Sequence, residues 1–222
     1  AGVALCRSRM PAGPAIASVA GGMFTMPAEL RRQAEQAGAT TMTRVGARGL
    51  ARHGDLWLVE TAETSRNPNP SLPPSPDGAI HSFLTPRVVV ACSAGPATRL
   101  LSSVIDTVGP EMVPGAPIGH VNLAVQAPEL DSSPRGNGML VAPGTTTVTA
   151  KALTHMSAKW PSLAESCPQG LHLLRISYGR SGEENVALSV DQALADASVL
   201  LGEELSAEQV VDSQIIHWTG SL

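Results

Sequence analysis

Few residues of this chain stand at spacings that could do chemistry by themselves. Cys6, Cys92 and Cys167 are far apart, with no Cys-x-x-Cys pair. The six histidines are scattered, and none pairs with another at metal-ligand spacing. An odd, dispersed set of thiols points to a reducing compartment rather than a secreted disulfide framework. No Gly-x-Gly-x-x-Gly follows a strand pattern, and there is neither a P-loop nor a Gly-x-Ser-x-Gly elbow. The chain therefore holds no self-sufficient dinucleotide, triphosphate or serine-hydrolase fingerprint. Arg135-Gly136-Asn137-Gly138 is glycine-rich, and such a run more often makes a tight hairpin turn than a ligand loop. Lys151 and Arg175 read first as solvated charges, His155 as a satisfied polar residue, Trp160 as a packing residue and Cys92 as a small buried hydrophobe.

Composition sets the outer limits. Of 222 residues, 43% are hydrophobic and 15% charged, enough apolar surface to bury a core. Aromatics are only 3%, so that core must be built from Val, Leu, Ala and Met. A net charge of -4 without a basic block argues against nucleic-acid binding, which needs clustered Lys and Arg. No run reaches the roughly 20 apolar residues that cross a bilayer, and no signal peptide is visible. The opening at Ala1, in a Pro- and Ala-rich segment, reads as a piece of something longer.

These residues need elements to position them. Pro27 suits a first helical position, Met26, Leu30, Ala34 and Ala37 share one helical face, and Gly38 is a stop signal. That stripe and the later one at 190–201 read as core faces. Strands are expected over 40–45 and 56–61. Residues 63–86 hold six prolines, so no regular element is expected through them, and they read as a surface insertion on a hairpin. Val88 to Val90 read as a buried strand, and a helix runs through Leu100, Leu101, Val104 and Ile105. Strands follow over 120–126, 138–142, 146–153 and 171–178, with alternation clearest from Thr146 to Leu153. Ser189 to Gln192 fits a capping box. Val190, Ala193, Leu194, Ala197 and Leu201 then form a stripe, and 209–218 is a last strand. The expected class is α+β (mixed α/β), with helices and a mostly antiparallel sheet.

One ordered set of motifs stands out. It runs from Gly136-Asn137-Gly138-Met139-Leu140-Val141 to Lys151-Ala152-Leu153-Thr154. Lys159-Trp160-Pro161 comes next, followed by Leu173-Leu174-Arg175-Ile176-Ser177-Tyr178-Gly179-Arg180 and Gly182-Glu183-Glu184. This series resembles the substrate-domain sheet of the oxygen-dependent protoporphyrinogen and coproporphyrinogen oxidases, in the form found in Gram-positive bacteria and especially actinobacteria. Gly21-Gly22, Thr43-Arg44-Val45 and Val88-Val89-Val90-Ala91 are similar to the middle of the same family's flavin domain, and His217-Trp218 stands where the family has Arg-Trp. The resemblance spans residues 18–222.

The resemblance implies FAD as cofactor, a porphyrinogen and O2 as small-molecule partners, and hydrogen peroxide as a product of heme biosynthesis. It implies a cytoplasmic protein that can touch a membrane surface or a later enzyme of the pathway. It divides the chain into an upstream remnant (1–17), a middle segment of the FAD-binding domain (18–106) and a substrate-binding domain with a return strand (107–222). Asn137, Gly138, Leu140, Ile176, Ser177 and Tyr178 would face the macrocycle. Gly138 would let a flat ring approach the backbone. Lys151, His155 and Arg175 would meet its propionates. Met42, Thr43, Val45, Ala91, Cys92, Ser93 and Trp218 would lie beside the flavin. No catalytic acid or base and no metal is implied, because the cofactor carries the redox chemistry. Ala91-Cys92-Ser93 replaces the family's usual Thr-Ala-Pro turn, and Met42 stands where Val is usual. Without an opening Rossmann segment the chain alone is expected to bind FAD poorly and turn nothing over. Two other readings stand beside this one: a different amine-oxidase-like flavoenzyme, such as a desaturase or amine oxidase, and a noncatalytic porphyrin-binding fragment.

Overall fold

The computed structural model describes residue 19 and residues 21–63, 80–106, 117–180 and 187–218. The upstream remnant, most of the Pro-rich stretch and Gly182-Glu183-Glu184 lie outside the described residues.

The first helix, α1 (Thr25–Gln36), starts where the Thr25 hydroxyl donates to the Gly22 carbonyl at 2.8 Å. Pro27 therefore sits inside the first turn rather than opening it. The Met26–Leu30 stripe is not a core face. No residue of α1 is buried, and Phe24, Met26 and Leu30 are exposed. Strand β1 (Val45–His53) replaces the strand expected over 40–45, whose residues are irregular up to Arg44. β1 turns through Gly54-Asp55, with Gly54 left-handed at φ 60°, into β2 (Leu56–Glu63). Two residues of this kind are what a tight antiparallel hairpin needs. A bulge at Arg48 absorbs one residue of register.

β3 (Ile80–Thr85) pairs antiparallel with β2, so a regular element does run inside the Pro-rich span. It is possible because the prolines stop at Pro76 and resume at Pro86. The segment is thus a hairpin connection whose far strand was hidden by its neighbours. The sheet order is β1-β2-β3. Val88 to Val90 form no strand, and Val89 is 89% exposed. A β-branched run favours a strand but does not make one, since a partner is also required. Helix α2 (Ala94–Leu101) lies against β1, where the Ser103 hydroxyl donates to the Leu50 carbonyl at 2.8 Å.

The second sheet has five strands in the order β5-β6-β7-β4-β8, all antiparallel. They are β4 (Ile118–Gln126), β5 (Gly138–Leu140), β6 (Ala152–His155), β7 (Leu171–Tyr178) and β8 (Val210–Trp218). Two short helices, α3 (Met156–Lys159) and α4 (Pro161–Ala164), join β6 to β7. α5 (Val190–Leu201) joins β7 to β8 through residues partly outside the described set. The Ser189 hydroxyl accepts from the Gln192 N–H at 3.1 Å, so the N-cap is real. The return half of the capping box is missing, because the Gln192 side chain goes to Asp196 instead.

The core forms where α5 seals one face of this sheet. Val121, Leu123, Val125, Leu153, Leu174, Ile176 and Tyr178 meet Ala193, Leu194, Ala197 and Leu201. Burying such side chains contributes about 1.5–3 kcal/mol each, which fixes the register because a one-residue slip would expose all of them. Residues 146–151 are not a strand, although Val148 and Ala150 are buried in alternation. Their backbone is satisfied by a side chain. Asp196 of α5, buried in the core, accepts the N–H groups of Thr149 and Ala150 at 3.2 and 2.9 Å. The fold class is α+β, as expected, and among the described residues no helix is long and apolar enough to cross a membrane.

Candidate functional site

Among the described residues, the second face of the five-stranded sheet is less covered than the first, although Ser177 on it is buried. Alternation along β4 and β7 turns His120, Asn122 and Ala124, with Leu173, Arg175 and Ser177, away from α5. Their cross-strand neighbours on β6 are Ala152 and Thr154, and on β8 Asp212, Gln214 and Ile216. α3 and α4 stand on this face as a side wall. Between them and the sheet lies a shallow hollow of about 240 Å³, lined by Asn122, Ala124, Met156, Leu163, Leu173 and Arg175. A second hollow of about 260 Å³ lies over the β5–β6 edge, lined by Asn137, Gly138, Leu140, Ala152, Thr154 and Lys159.

Polar groups on this face are held in place by one another. Arg175 Nε donates to Asn122 Oδ1 at 3.2 Å, which steers the guanidinium along the sheet. His120 Nδ1 and the Ser177 hydroxyl share a hydrogen bond of 3.0 Å. Burial, and after it the positive charges of Arg175 and Lys151, push the His120 pKa below the ordinary histidine value. The face thus carries a cationic end, at Arg175 and toward His120, and an acid, Asp212, at the other, among apolar side chains, and its cationic end suits the carboxylate edge of a flat apolar ligand.

Of the residues expected to meet the macrocycle, Asn137, Gly138, Leu140, Arg175 and Ser177 lie on this face or its hollows. Lys151 lies close enough for its charge to act on His120. Three others are placed elsewhere. Ile176 is fully buried under α5, and Tyr178 is 4% exposed, with its hydroxyl donating to Asp196 at 3.1 Å. They alternate with Arg175 and Ser177, so only every second residue of the Arg-Ile-Ser-Tyr run can face a ligand.

His155 is also sealed inside, at 1% exposure. Its Nε2 and His172 Nδ1 share a hydrogen bond of 2.9 Å, and His172 Nε2 reaches Asp131 Oδ1 at 3.0 Å. With His172 giving its Nε2 proton to the carboxylate, its Nδ1 accepts from His155. That leaves His155 Nδ1 bare, and it is the buried side-chain atom without a partner among the described residues. Burial, with the neighbouring His172, lowers the His155 pKa to about 4. A neutral, buried ring cannot meet a propionate.

Gly138 is needed for a different reason from the expected one. It sits at φ 149°, and a Cβ there would lie 2.7 Å from the Leu153 carbonyl oxygen. The close approach is that of β6, not of a ligand. Residues on this face that the sequence reading missed are His120, Asn122, Met156 and Leu163. The signal was present for the first two, since in the strand over 120–126 His120 and Asn122 alternate with the apolar Val121 and Leu123.

The flavin-side residues do not assemble a cradle among the described residues. Met42 and Thr43 lie in the irregular lead-in to β1, Met42 being 50% exposed, and Val45 is the first residue of β1. Ala91, Cys92 and Ser93 form the turn into α2, and Cys92 is exposed rather than a buried hydrophobe. Trp218 ends β8, 56% exposed. No group of three His, Cys, Asp or Glu side chains among the described residues could hold a metal ion.

The fold is similar to that of two solved structures. One is OxyS, the anhydrotetracycline hydroxylase of Streptomyces rimosus, at 13% identity over 89% of this chain and 33% of that one, with a TM-score of 0.51. The other is RebC-10x, native and bound to K252c, at 13% identity over 86% of this chain and 31% of that one, with a TM-score of 0.47. This chain spans about a third of the length of each. The first likeness extends to the fold and no further. No protein-family model and no curated protein matches the chain.

Proposed function

We propose that this chain is the substrate-facing part of an FAD-dependent oxidoreductase that oxidises a porphyrinogen, coproporphyrinogen III or protoporphyrinogen IX, to the porphyrin. Oxygen is the acceptor and hydrogen peroxide the by-product, as in heme biosynthesis. The observation that carries the reading is the two-faced sheet. One face is sealed by α5, while the other sets Arg175 among Leu173, Met156 and Leu163, with His120 and Ser177 next along the same face. The motif resemblance of residues 136–180 falls largely on this same sheet, and a fold similar to that of the anhydrotetracycline hydroxylase is compatible with the reading.

FAD enters through the resemblance, and when bound it supplies the electron acceptor. The described residues offer at most its rim, at Met42 to Val45 and Ala91 to Ser93. The work of this chain is orientation: apolar side chains take the ring face, and the cationic end takes the carboxylates. No side-chain acid or base is required of it.

Coproporphyrin III fluorescence, titrated with the purified chain, should quench with saturation. In the enzyme that carries this chain, supplied with FAD and oxygen, coproporphyrinogen III should yield porphyrin and peroxide, and amines neither. A hydroxylation would instead leave an oxygen atom in the product and need an external electron donor. Absence of any macrocycle binding would end the porphyrinogen reading, and amine-dependent peroxide would move the chain to the amine oxidases.

A further inference from the structure

Resting on that reading, we propose that His120, Arg175 and Lys151 form one carboxylate subsite on the open sheet face, in which His120 takes up a proton when the carboxylate binds. His120 and Ser177 are directly opposed across β4 and β7, and their side chains share the 3.0 Å bond through Nδ1. The ring is thereby pinned, and its Nε2 edge is the one left to meet a ligand. Two residues along the same face, Asn122 holds Arg175 by Nε alone, so the terminal guanidinium nitrogens remain to form a fork toward an anion. Lys151 joins this end of the sheet through its backbone, whose N–H donates to the Ser177 carbonyl at 2.8 Å.

The charges around His120 can be named element by element. β7 contributes Arg175, and the segment leading into β6 contributes Lys151. β8 places the neutral Ile216 directly opposite His120, with Gln214 next along the face. His217 of β8 neighbours Ile216 in sequence and alternates to the other face. The acid of β8 on the open side, Asp212, is paired with Ala124, four residues along β4 from His120. Burial first, and then these two positive charges, favour the neutral imidazole.

A carboxylate entering between Arg175 and His120 reverses that field. It favours the imidazolium, which then donates to the carboxylate from Nε2 while Nδ1–H donates to Ser177. Binding and protonation are linked, so a carboxylate ligand binds more tightly as pH falls through the His120 range. Each unit by which the bound ligand raises the His120 pKa tightens binding at the acid end by about tenfold. A ligand with esterified carboxyls gains nothing from the proton. Such a subsite takes one propionate of either porphyrinogen, and holds it most tightly on the acid side of neutrality.

The test measures binding of coproporphyrin III and of its tetramethyl ester, by fluorescence, between about pH 8 and pH 5.5, a window chosen to cross the ordinary histidine range. Wild type is compared with His120→Gln. Wild type should bind the acid more tightly as pH falls, His120→Gln should lose most of that gain, and the ester should show none in either protein. Equal pH profiles for the acid in wild type and His120→Gln would overturn the subsite while leaving the porphyrinogen reading in place. Failure of both acid and ester to bind would remove that reading itself. Should His120→Gln not fold, the His120 ring proton is titrated by NMR with and without coproporphyrin III. A higher pKa in the complex supports the linkage, and an unchanged one refutes it.

Discussion

A histidine in this chain is read wrongly if only its residue type is considered. His120, His155 and His172 all lie on neighbouring strands, yet the first looks out over an open face and the other two are closed in on the α5 side. The difference is one of strand parity. His155 is the instructive case, because its ordinary pKa of 6.5 falls to about 4 in the fold. Between those values the unfolded chain binds a proton that the folded chain refuses. Stability from this site is therefore fully present above pH 6.5 and is lost as pH falls toward 4. The lost part is about 3 kcal/mol, since each pKa unit corresponds to about 1.4 kcal/mol. His120, depressed for its own reasons, adds to the loss with the same sign. Urea unfolding followed from pH 7.5 to pH 4.5 should show this slope, and His155→Leu should flatten it. A variant with the wild-type slope would place the titrating group elsewhere. The resemblance put His155 with Lys151 and Arg175 as a propionate contact, and it could not see that His155 belongs to a buried relay with His172 and Asp131. Nothing in the sequence links residues 131, 155 and 172 until the sheet order is known.

At the scale of elements, the strands over 120–126 and 171–178 and the 190–201 helix were legible because their apolar period matches the burial they receive. β1 was not, because Gly46, Gly49 and two arginines give it little strand preference, and pairing with β2 imposes the conformation. The converse error fell on Thr146 to Leu153, where alternation is real but the ladder is replaced by Asp196. That carboxylate accepts from the Thr149 hydroxyl at 2.8 Å, from Gln192 Nε2 at 3.0 Å and from the Tyr178 hydroxyl, in addition to two backbone N–H groups. Burial, and then the facing carboxylate, raise the Tyr178 pKa well above the usual phenol value. One side chain on α5 thus ties the helix, the irregular segment and β7 together. Asp196→Ala removes the acceptor of five donors, of which the Ala150 N–H and the Tyr178 hydroxyl are buried, and should cost about 2–5 kcal/mol. Asp196→Asn keeps the shape but offers one acceptor oxygen in place of two, and should cost less. Equilibrium denaturation of both variants ranks them. Equal and small losses would mean that water readily takes the place of the carboxylate.

At the scale of the whole molecule, the five-stranded sheet assigns its two faces to different tasks. The sequence carries both tasks in a single strand, in the alternation of Arg175 and Ser177 with Leu174, Ile176 and Tyr178. The motif run at 173–180 reads as a site only after half of it is assigned to the core. It follows that stability and ligand affinity should be separable within one strand. Ile176→Ala removes a fully buried side chain under α5 and should cost about 2–5 kcal/mol of folding stability. In the molecules that remain folded, affinity for coproporphyrin III should be unchanged. Arg175→Gln removes a half-buried cation from the open face, where the hydrogen bond to Asn122 is the main structural loss. It should shift stability by no more than about 1 kcal/mol and weaken porphyrin binding by roughly tenfold or more, the usual worth of a charge-assisted bond. Denaturation midpoints and fluorescence titrations on the same two proteins are sufficient. If Ile176→Ala weakens binding in the folded fraction as much as Arg175→Gln does, then the α5 side and the open side act as one unit. The ligand would in that case have to be sought against the helix rather than against the exposed strands.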